Sequence, residues 1–276
     1  MIYEKIDLAG KYDYLKKNNS VAKLVCMVPH FIPEMNRQDE KRPCILVCPG
    51  GGYAFCSERE AEPIAMNFLK LGFNAYVLYY SLAPDYHYPL QLNEVAAAFD
   101  TIKKLAQEHH SDIEKIGIIG FSAGGHLAAH YSTAFDSQEV RENFKESIRP
   151  FATMLGYPVI TADKKVAHIG SIENLVGKYP EEKDADKYSC EKLVNENTPQ
   201  CFIWHTAEDS CVPVENSLMY ALALSKYKIP YELHIYPKGD HGLSTSDIVT
   251  LHTETPDTDH AHNWLYELER WIKLTF

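Results

Sequence analysis

The sequence lacks a long hydrophobic run: no apolar stretch approaches the roughly 20 residues that a membrane-spanning helix needs. Residues 1–17 carry acidic side chains early and contain no apolar segment, so we expect no signal peptide. Basic residues are in deficit, with 27 lysines and arginines against 38 aspartates and glutamates and a net charge of -11. This balance argues against nucleic acid and against an anionic membrane as partners.

Cysteine pairs are also missing. The seven cysteines are an odd number, and no two of them have CxxC spacing. Cys26, Cys44 and Cys48 lie in apolar, strand-like runs, where cysteine usually behaves as a small hydrophobic residue. We therefore expect a reducing, cytoplasmic location without a disulfide framework.

The chain shows no pattern of a cofactor site. No histidine–carboxylate cluster has the spacing of metal ligands, and no pair of carboxylates suggests glycoside chemistry. We therefore expect neither a metal nor another cofactor.

What the sequence has is the length and composition of one large α/β domain, with 276 residues of which 45% are apolar and 24% charged. Strand-like and helical segments alternate up to Ser122, which predicts a mostly parallel sheet built from right-handed crossovers. Residues 161–198 are polar and too long for a plain loop, so we expect a small, cap-like, partly helical insertion over the carboxyl ends of the strands. The prediction is a single domain over 1–276. The expected strands are 21–28, 43–48, 73–80, 116–119, 151–160, 199–206 and 230–236, with a further edge strand or hairpin arm within 1–20.

The segment that organises the chain is KIGIIGFSAGGH, residues 115–126. A β-branched run is followed by a Gly-x-Ser-x-Gly turn around Ser122 and then by a helical stretch. This is the context of a nucleophile elbow, in which the serine adopts a strained backbone and only small residues fit beside it. The alternatives are an ordinary glycine-rich turn and a phosphate-binding loop.

A second glycine-rich turn follows the expected strand 43–48. Gly50, Gly51 and Gly52 let backbone N–H groups turn inward and approach a ligand closely. With a serine nucleophile elsewhere, the natural use of such a turn is an oxyanion hole. The alternative is a flexible loop.

A carboxylate and a histidine follow later strands. Glu208 and Asp209 come just after 199–206, and His241 lies in a glycine-flanked loop after 230–236. Because the carboxyl ends of parallel strands meet at one edge, both can reach Ser122. Serine needs a base to become a nucleophile, and the base needs a carboxylate that fixes its tautomer.

The order serine, acid, histidine and the accompanying motifs resemble the α/β-hydrolase superfamily. The closest resemblance is to the acetyl-xylan-esterase-like branch of the hormone-sensitive-lipase-related esterases. Matching stretches run through most of the chain: CPGGGY (48–53), ERE-AEP (58–63), GFNAYVLYYSLAP (72–84), GFSAGGHLAA (120–129), LGYPVIT (155–161), WHTAEDSCVPVENSL (204–218) and GDHGLS (239–244).

This resemblance implies an α/β-hydrolase fold with helices on both faces of the sheet, and a serine esterase that cleaves acetyl and other short acyl esters, including those of sugars, without cofactors. Its D-x-x-V-P pattern favours Asp209 over Glu208. The implied substrate is a small acylated sugar, and a homo-oligomer is compatible with it. By resemblance, the catalytic residues are Ser122, Asp209 and His241, the oxyanion donors are the N–H groups of Gly51, Gly52 and Ala123, and Tyr53 and Tyr157 line the acyl and alcohol pockets.

The chain departs from the wider lipase-like family at one position. That family has a histidine where this chain has Pro49, and the histidine normally braces the oxyanion loop. We expect the fixed φ of Pro49 to brace the loop instead.

Three other functions stay open. One is a general short-chain carboxylesterase. Another is a serine peptidase of the prolyl-oligopeptidase type, although 276 residues leave no room for the propeller domain that such enzymes usually carry. The last is a non-catalytic binding protein with the same fold.

Overall fold

A computed structural model describes residues 1–30, 32–36 and 39–276. In this part of the chain eight strands form one sheet: β1 (Ile2–Asp7), β2 (Lys23–Val28), β3 (Arg42–Cys48), β4 (Asn74–Tyr79), β5 (Ser111–Phe121), β6 (Thr153–Gly156), β7 (Cys201–Thr206) and β8 (Tyr231–Tyr236). Their order is β1-β2-β4-β3-β5-β6-β7-β8. Only β2 runs antiparallel to its neighbours, and every other adjacent pair is parallel. The predicted mostly parallel sheet of an α/β-hydrolase is confirmed.

Helices connect the strands. Three short 3₁₀ turns, at Pro33–Met35, Glu58–Glu60 and Asp186–Tyr188, accompany them. The α-helices are α1 (Asp13–Lys17), α2 (Glu62–Lys70), α3 (Leu90–Lys104), α4 (Ala106–His109), α5 (Ser122–Ala134), α6 (Gln138–Arg141), α7 (Ile169–Val176), α8 (Glu182–Ala185), α9 (Cys190–Leu193), α10 (Glu215–Lys226), α11 (Pro256–His262) and α12 (Trp264–Thr275).

Both faces of the sheet are covered. In β3, Cys44, Leu46 and Cys48 pack into one hydrophobic cluster together with residues of α3 and α5. Their neighbours Ile45 and Val47 pack into a second cluster with residues of α2 and α12. Because successive side chains of a strand point to opposite faces, the two clusters are the two sides of the sheet. A strand buried on both sides reads as a continuous apolar run, which is why it was predictable.

The largest difference from the prediction is at β6. A strand was expected over 151–160, but β6 ends at Gly156. Tyr157 has a positive φ of 35° and Pro158 has no N–H to donate, so the chain turns away from the sheet there. The chain ends in α12, and the shorter helix α11 directly precedes it.

Residues 161–198 contain the short helices α7, α8 and α9. A small apolar cluster that includes Ala162 and Ile172 holds the segment on the body of the fold. The amide of Asn174 in α7 donates to the carbonyl of Gly52 over 2.8 Å, which ties the segment to the glycine-rich loop. The single-domain organisation with this insertion stays a prediction. No helix in the described ranges has both the length and the apolar character that a membrane crossing requires.

Candidate active site

The turn between β5 and α5 has the predicted elbow geometry. Ser122 is the first residue of α5, directly after the strand, and has a positive φ of 52°. A Cβ on Gly120 would collide with the carbonyl of Gly124, and a Cβ on Gly124 would collide with the carbonyl of Cys48. Only glycine therefore lets the helix lie so close to the strands. The serine stays near the surface, with 7% of the residue exposed.

Ser122, His241 and Asp209 meet at the carboxyl end of the sheet. The Nδ1 atom of His241 lies 2.7 Å from Oδ2 of Asp209, and its Nε2 atom lies 2.8 Å from Oγ of Ser122. A carboxylate only accepts hydrogen bonds, so Nδ1 carries the proton and donates it to Asp209. The unprotonated Nε2 then accepts from the serine hydroxyl. The three residues that sequence reasoning selected are thus brought together in the tautomer that proton transfer requires.

Asp209 is held by four hydrogen bonds. Beside His241, the imidazole of His205 donates to Oδ2 over 3.2 Å, and the N–H groups of Cys211 and Val212 donate to Oδ1 over 2.9 and 2.8 Å. Burial would raise the pKa of this carboxyl, but the hydrogen bonds from His205 and His241 outweigh burial and hold the pKa well below its usual range. Asp209 is therefore an ionised carboxylate under ordinary conditions. Sequence reasoning missed the contact between His205 and Asp209, which their spacing of four residues could have suggested.

In the glycine-rich loop, the carbonyl groups of Gly51 and Gly52 are hydrogen-bonded and, among the residues that the structure describes, their N–H groups are not. Gly51, Gly52 and Tyr53 have consecutive positive φ values of 125°, 63° and 59°. The Gly51 carbonyl accepts from the N–H groups of residues 54 and 55, and the Gly52 carbonyl accepts from Asn174. In the described part of the chain, no acceptor takes the N–H of Gly51 or Gly52. Ala123 lies in the first turn of α5, where N–H groups have no partner within the helix.

Two side chains brace this loop. The Tyr80 hydroxyl donates to the Pro49 carbonyl over 2.7 Å, and the Gly50 N–H donates to Oε2 of Glu60 over 2.8 Å. Sequence reasoning missed both contacts, although Glu60 lies in the ERE-AEP stretch that carried the resemblance. A bracing role for the fixed φ of Pro49 stays a prediction.

The tyrosines expected in the substrate pockets are both buried. The Tyr53 hydroxyl donates to Nδ1 of His126 over 2.8 Å, and the Tyr157 hydroxyl donates to Oε1 of Glu60 over 2.6 Å. The Tyr157 ring packs edge-on against His241, with 5.0 Å between the ring centroids. Burial lowers the pKa of His126 to about 4, so this imidazole is neutral and serves packing and hydrogen bonding. Substrate contacts of the two tyrosines stay a prediction.

The insertion presents polar side chains beside the glycine-rich loop. His168 caps α7: its Nδ1 atom accepts from the Ser171 N–H over 3.3 Å and lies 2.7 Å from the Ser171 hydroxyl. That hydroxyl oxygen would lie 3.9 Å from a Cβ on Gly52. Burial and the nearby His241 lower the pKa of His168, which keeps it neutral. His168, Ser171 and Asn174 follow one another at a spacing of three residues, which was the available signal for polar contacts at this end of α7.

One group of acidic and histidine side chains with the spacing of metal ligands forms in the described ranges. Glu232, His234 and Glu267 lie close together at β8 and α12. His234 already lies 2.7 Å from Glu232, and Glu267 pairs with Arg270 over 3.4 Å. Partly exposed carboxylates commonly meet a histidine in this way without an ion, and these contacts account for the group.

Comparison with known proteins gives consistent matches. The BD-FAE family model matches residues 31–224. Endo-1,4-beta-xylanase B of Butyrivibrio fibrisolvens is 40% identical over 227 residues, which are 80% of this chain and 35% of that protein. The acetylxylan esterase of Xylanibacter ruminicola is 31% identical over 270 residues, which are 96% of this chain and 51% of that protein. The chain thus spans about half or less of the length of these curated relatives.

Solved structures match over nearly the whole chain. The crystal structure of an acetyl ester-xyloside bifunctional hydrolase from Caldicellulosiruptor lactoaceticus superposes with a TM-score of 0.84 and 34% identity, covering 98% of this chain and 95% of that one. The carboxylesterase Cest-2923 from Lactobacillus plantarum superposes with a TM-score of 0.83 and 27% identity, covering 99% and 97% of the two chains.

Proposed function

The chain belongs to the BD-FAE family, and from this membership and the site geometry we propose that it is a serine esterase that removes acetyl or other short acyl groups from sugars. The family membership confirms the resemblance seen in the motifs. The observation that carries the proposal is the continuous hydrogen-bonded path from Ser122 through His241 to Asp209, over 2.8 and 2.7 Å.

In the proposed reaction, Oγ of Ser122 attacks the acyl carbon while Nε2 of His241 takes the hydroxyl proton. The imidazolium that forms is stabilised by the ionised Asp209. The carbonyl oxygen becomes an oxyanion and accepts hydrogen bonds from the N–H groups of Gly51, Gly52 and Ala123, with the N-terminus of α5 adding its favourable dipole.

Collapse of this intermediate breaks the bond to the alcohol oxygen. His241 returns the proton to that oxygen, so the alcohol leaves neutral and the acyl group remains on Ser122. Water then repeats the sequence as the nucleophile: His241 takes its proton, the acid is released and the serine hydroxyl is restored. No metal or organic cofactor enters these steps.

An acylated sugar as substrate is supported by the names of the relatives. One is called an acetylxylan esterase, and the superposed Caldicellulosiruptor protein is called an acetyl ester-xyloside hydrolase. The partly exposed side chains of His168 and Asn174 beside the glycine-rich loop support the same substrate class, because a hydroxyl-rich alcohol needs hydrogen-bonding partners near the reacting ester. All seven cysteines are free, which is compatible with the proposed cytoplasmic location. A homo-oligomer remains part of the proposal without a structural observation that supports it.

The test combines a substrate panel with an active-site label. The purified protein is offered p-nitrophenyl acetate, butyrate and octanoate together with acetylated xylo-oligosaccharides, and release of acid is measured. A fluorophosphonate probe should label the protein, and the Ser122→Ala variant should not be labelled. Labelling without hydrolysis of any ester, or hydrolysis that survives in Ser122→Ala, would overturn the proposal.

A further inference from the structure

The region around Ser122 contains a buried carboxylate that the reaction does not use. Glu60 is only 3% exposed, and none of the described lysine, arginine or histidine side chains forms a direct ion pair with it. Burial raises its pKa, while hydrogen bonds from Tyr157 and Gly50 oppose that shift. A buried carboxylate that has hydrogen bonds but no ion-pair partner is costly for folding, so its position calls for a reason.

The first contact of Glu60 is with the glycine-rich loop. Its Oε2 atom accepts from the Gly50 N–H, one residue before the proposed oxyanion donors. A Cβ placed on Gly50 would lie 2.6 Å from Oε2 of Glu60 and 2.9 Å from Cβ of Ser122. The backbone of Gly50 therefore fills the space between the carboxylate and the serine. Movement of Glu60 would change the distance between the loop and Ser122.

The second contact leads to the histidine loop. Oε1 of Glu60 accepts from the Tyr157 hydroxyl over 2.6 Å, and that hydroxyl accepts from the Ser244 N–H over 2.9 Å. The Ser244 hydroxyl also donates to the carbonyl of Arg59. The segment 59–60 therefore fastens the loop that carries His241, while the Tyr157 ring packs against His241 itself.

We propose that Glu60 is a positioning residue. By accepting from the Gly50 N–H and the Tyr157 O–H at once, it holds the glycine-rich loop and the loop that carries His241 at fixed distances from Ser122. Neither loop has regular secondary structure, and both contain residues with positive φ. Such segments keep one geometry only when surrounding contacts determine it. The carboxylate suits this task because each of its two oxygens accepts from a different segment, Oε2 from Gly50 and Oε1 from Tyr157.

The inference rests on the proposed function for its catalytic consequence, and its structural part can be tested without activity. Hydrogen exchange is measured on peptides that contain Gly50 and Ser244 in the wild type and in Glu60→Ala. Both peptides should exchange faster in the variant. Glu94→Ala is the matched control, because Glu94 is equally buried and accepts from Ser20 and from the Ser81 N–H in a network of its own. Unchanged exchange at either loop in Glu60→Ala would overturn the proposal.

The kinetic part compares kcat and KM for p-nitrophenyl acetate. Glu60→Ala should lower kcat by about 10²-fold, since a misplacement of roughly 1 Å costs that much, and should leave KM nearly unchanged. Glu60→Gln should recover most of kcat, because the amide oxygen can still accept from Gly50. Glu94→Ala should lower the melting temperature without lowering kcat. Equal losses of kcat in the alanine variants at positions 60 and 94 would show a purely structural role and sink the idea.

Two outcomes remain distinct by design. If the wild type hydrolyses no ester, the proposed function is contradicted. The hydrogen-exchange result then still shows whether Glu60 positions the two loops. If Glu60→Ala does not fold, Glu60→Gln and Tyr157→Phe take its place. Tyr157→Phe removes the link to Ser244 and keeps the ring against His241, so the Ser244 peptide should exchange faster while the Gly50 peptide stays protected. Unchanged exchange of the Ser244 peptide would contradict the proposal.

Discussion

Glu208 and Asp209 are neighbours in the chain and point in opposite directions. Glu208 is at the surface and pairs with Lys238, whereas the Asp209 side chain is fully buried and lies 2.7 Å from His241. An exposed ion pair contributes little to stability, while a buried carboxylate with four donors has one fixed position. Substitutions of these two adjacent acids should therefore affect activity to very different extents.

Asp209→Asn should reduce kcat/KM far more than Glu208→Gln. The amide would favour the wrong tautomer of His241, at a cost of roughly 10⁴-fold in the best-studied serine enzyme. Glu208→Gln loses only a surface ion pair and should keep nearly full activity. The measurement is kcat/KM for p-nitrophenyl acetate in both variants. Equal losses would mean that Asp209 is not the acid.

Ser122→Ala should remove ester hydrolysis and leave the fold intact. The side chain is small and lies at the start of α5, so its truncation creates no cavity in either hydrophobic cluster. The loss should be roughly 10³-fold or more, because only the oxyanion donors and substrate binding would remain. Circular dichroism checks that the fold is intact, and kcat/KM measured on the same preparation checks the loss of activity. More than a tenth of the wild-type activity would contradict the assignment of the nucleophile.

On the acid side of its pH profile, kcat/KM should fall with the slope expected for protonation of a single group; this decrease is called the acid limb. His241 must be neutral to accept the serine proton, so protonation of this base removes activity on the acid side. Asp209 does not contribute to this limb, because its lowered pKa keeps it ionised and its protonation begins only at much lower pH. A profile that stays flat down to pH 5 would exclude a histidine base.

Asp240→Asn tests the surroundings of that histidine. Besides Asp209, the charged or titratable groups near His241 include Glu60, Tyr157, His168 and Asp240, and the Arg59 guanidinium lies beside the adjacent Gly242. Asp240 is exposed and accepts from the His241 N–H over 2.8 Å, a bond that asparagine can keep. Loss of its negative charge disfavours the imidazolium, so the acid limb should move to lower pH. Because solvent screens the charge, the shift should be small. A shift to higher pH would contradict this arrangement.

Ser171→Ala should distinguish sugar esters from simple esters. The Ser171 hydroxyl is fully buried beside Gly52 and holds the His168 imidazole, so its loss frees a partly exposed polar group that lies near His241 and the proposed alcohol site. We expect KM for acetylated xylo-oligosaccharides to rise several-fold while KM for p-nitrophenyl acetate stays constant. Ser189→Ala is the control, because Ser189 is buried in the same insertion and hydrogen-bonds only within it. Equal changes with both substrates would exclude a role in sugar binding.

The sequence by itself determined the architecture and the elbow. A strand buried on both faces, such as Ile45 to Val47 in β3, must be apolar throughout, so a continuous apolar run in the sequence predicts it. The elbow is made of contiguous residues, so the glycines that its close packing requires are adjacent to Ser122 in the sequence. Each site residue chosen by sequence follows a strand, and parallel strands bring their ends together. The end of β6 was missed because the turn at Tyr157 depends on its surroundings.

Only the tertiary structure decided which groups hold the site in place. Glu60 and Tyr157 are 97 residues apart and meet because the ends of two segments converge beside Ser122. His205 reaches Asp209, and α7 lies against Gly52, through side-chain directions that no local pattern specifies. The physical reason is that hydrophobic periodicity encodes which face of an element is buried. A hydrogen bond between distant loops depends instead on positions set by the packing of the whole chain.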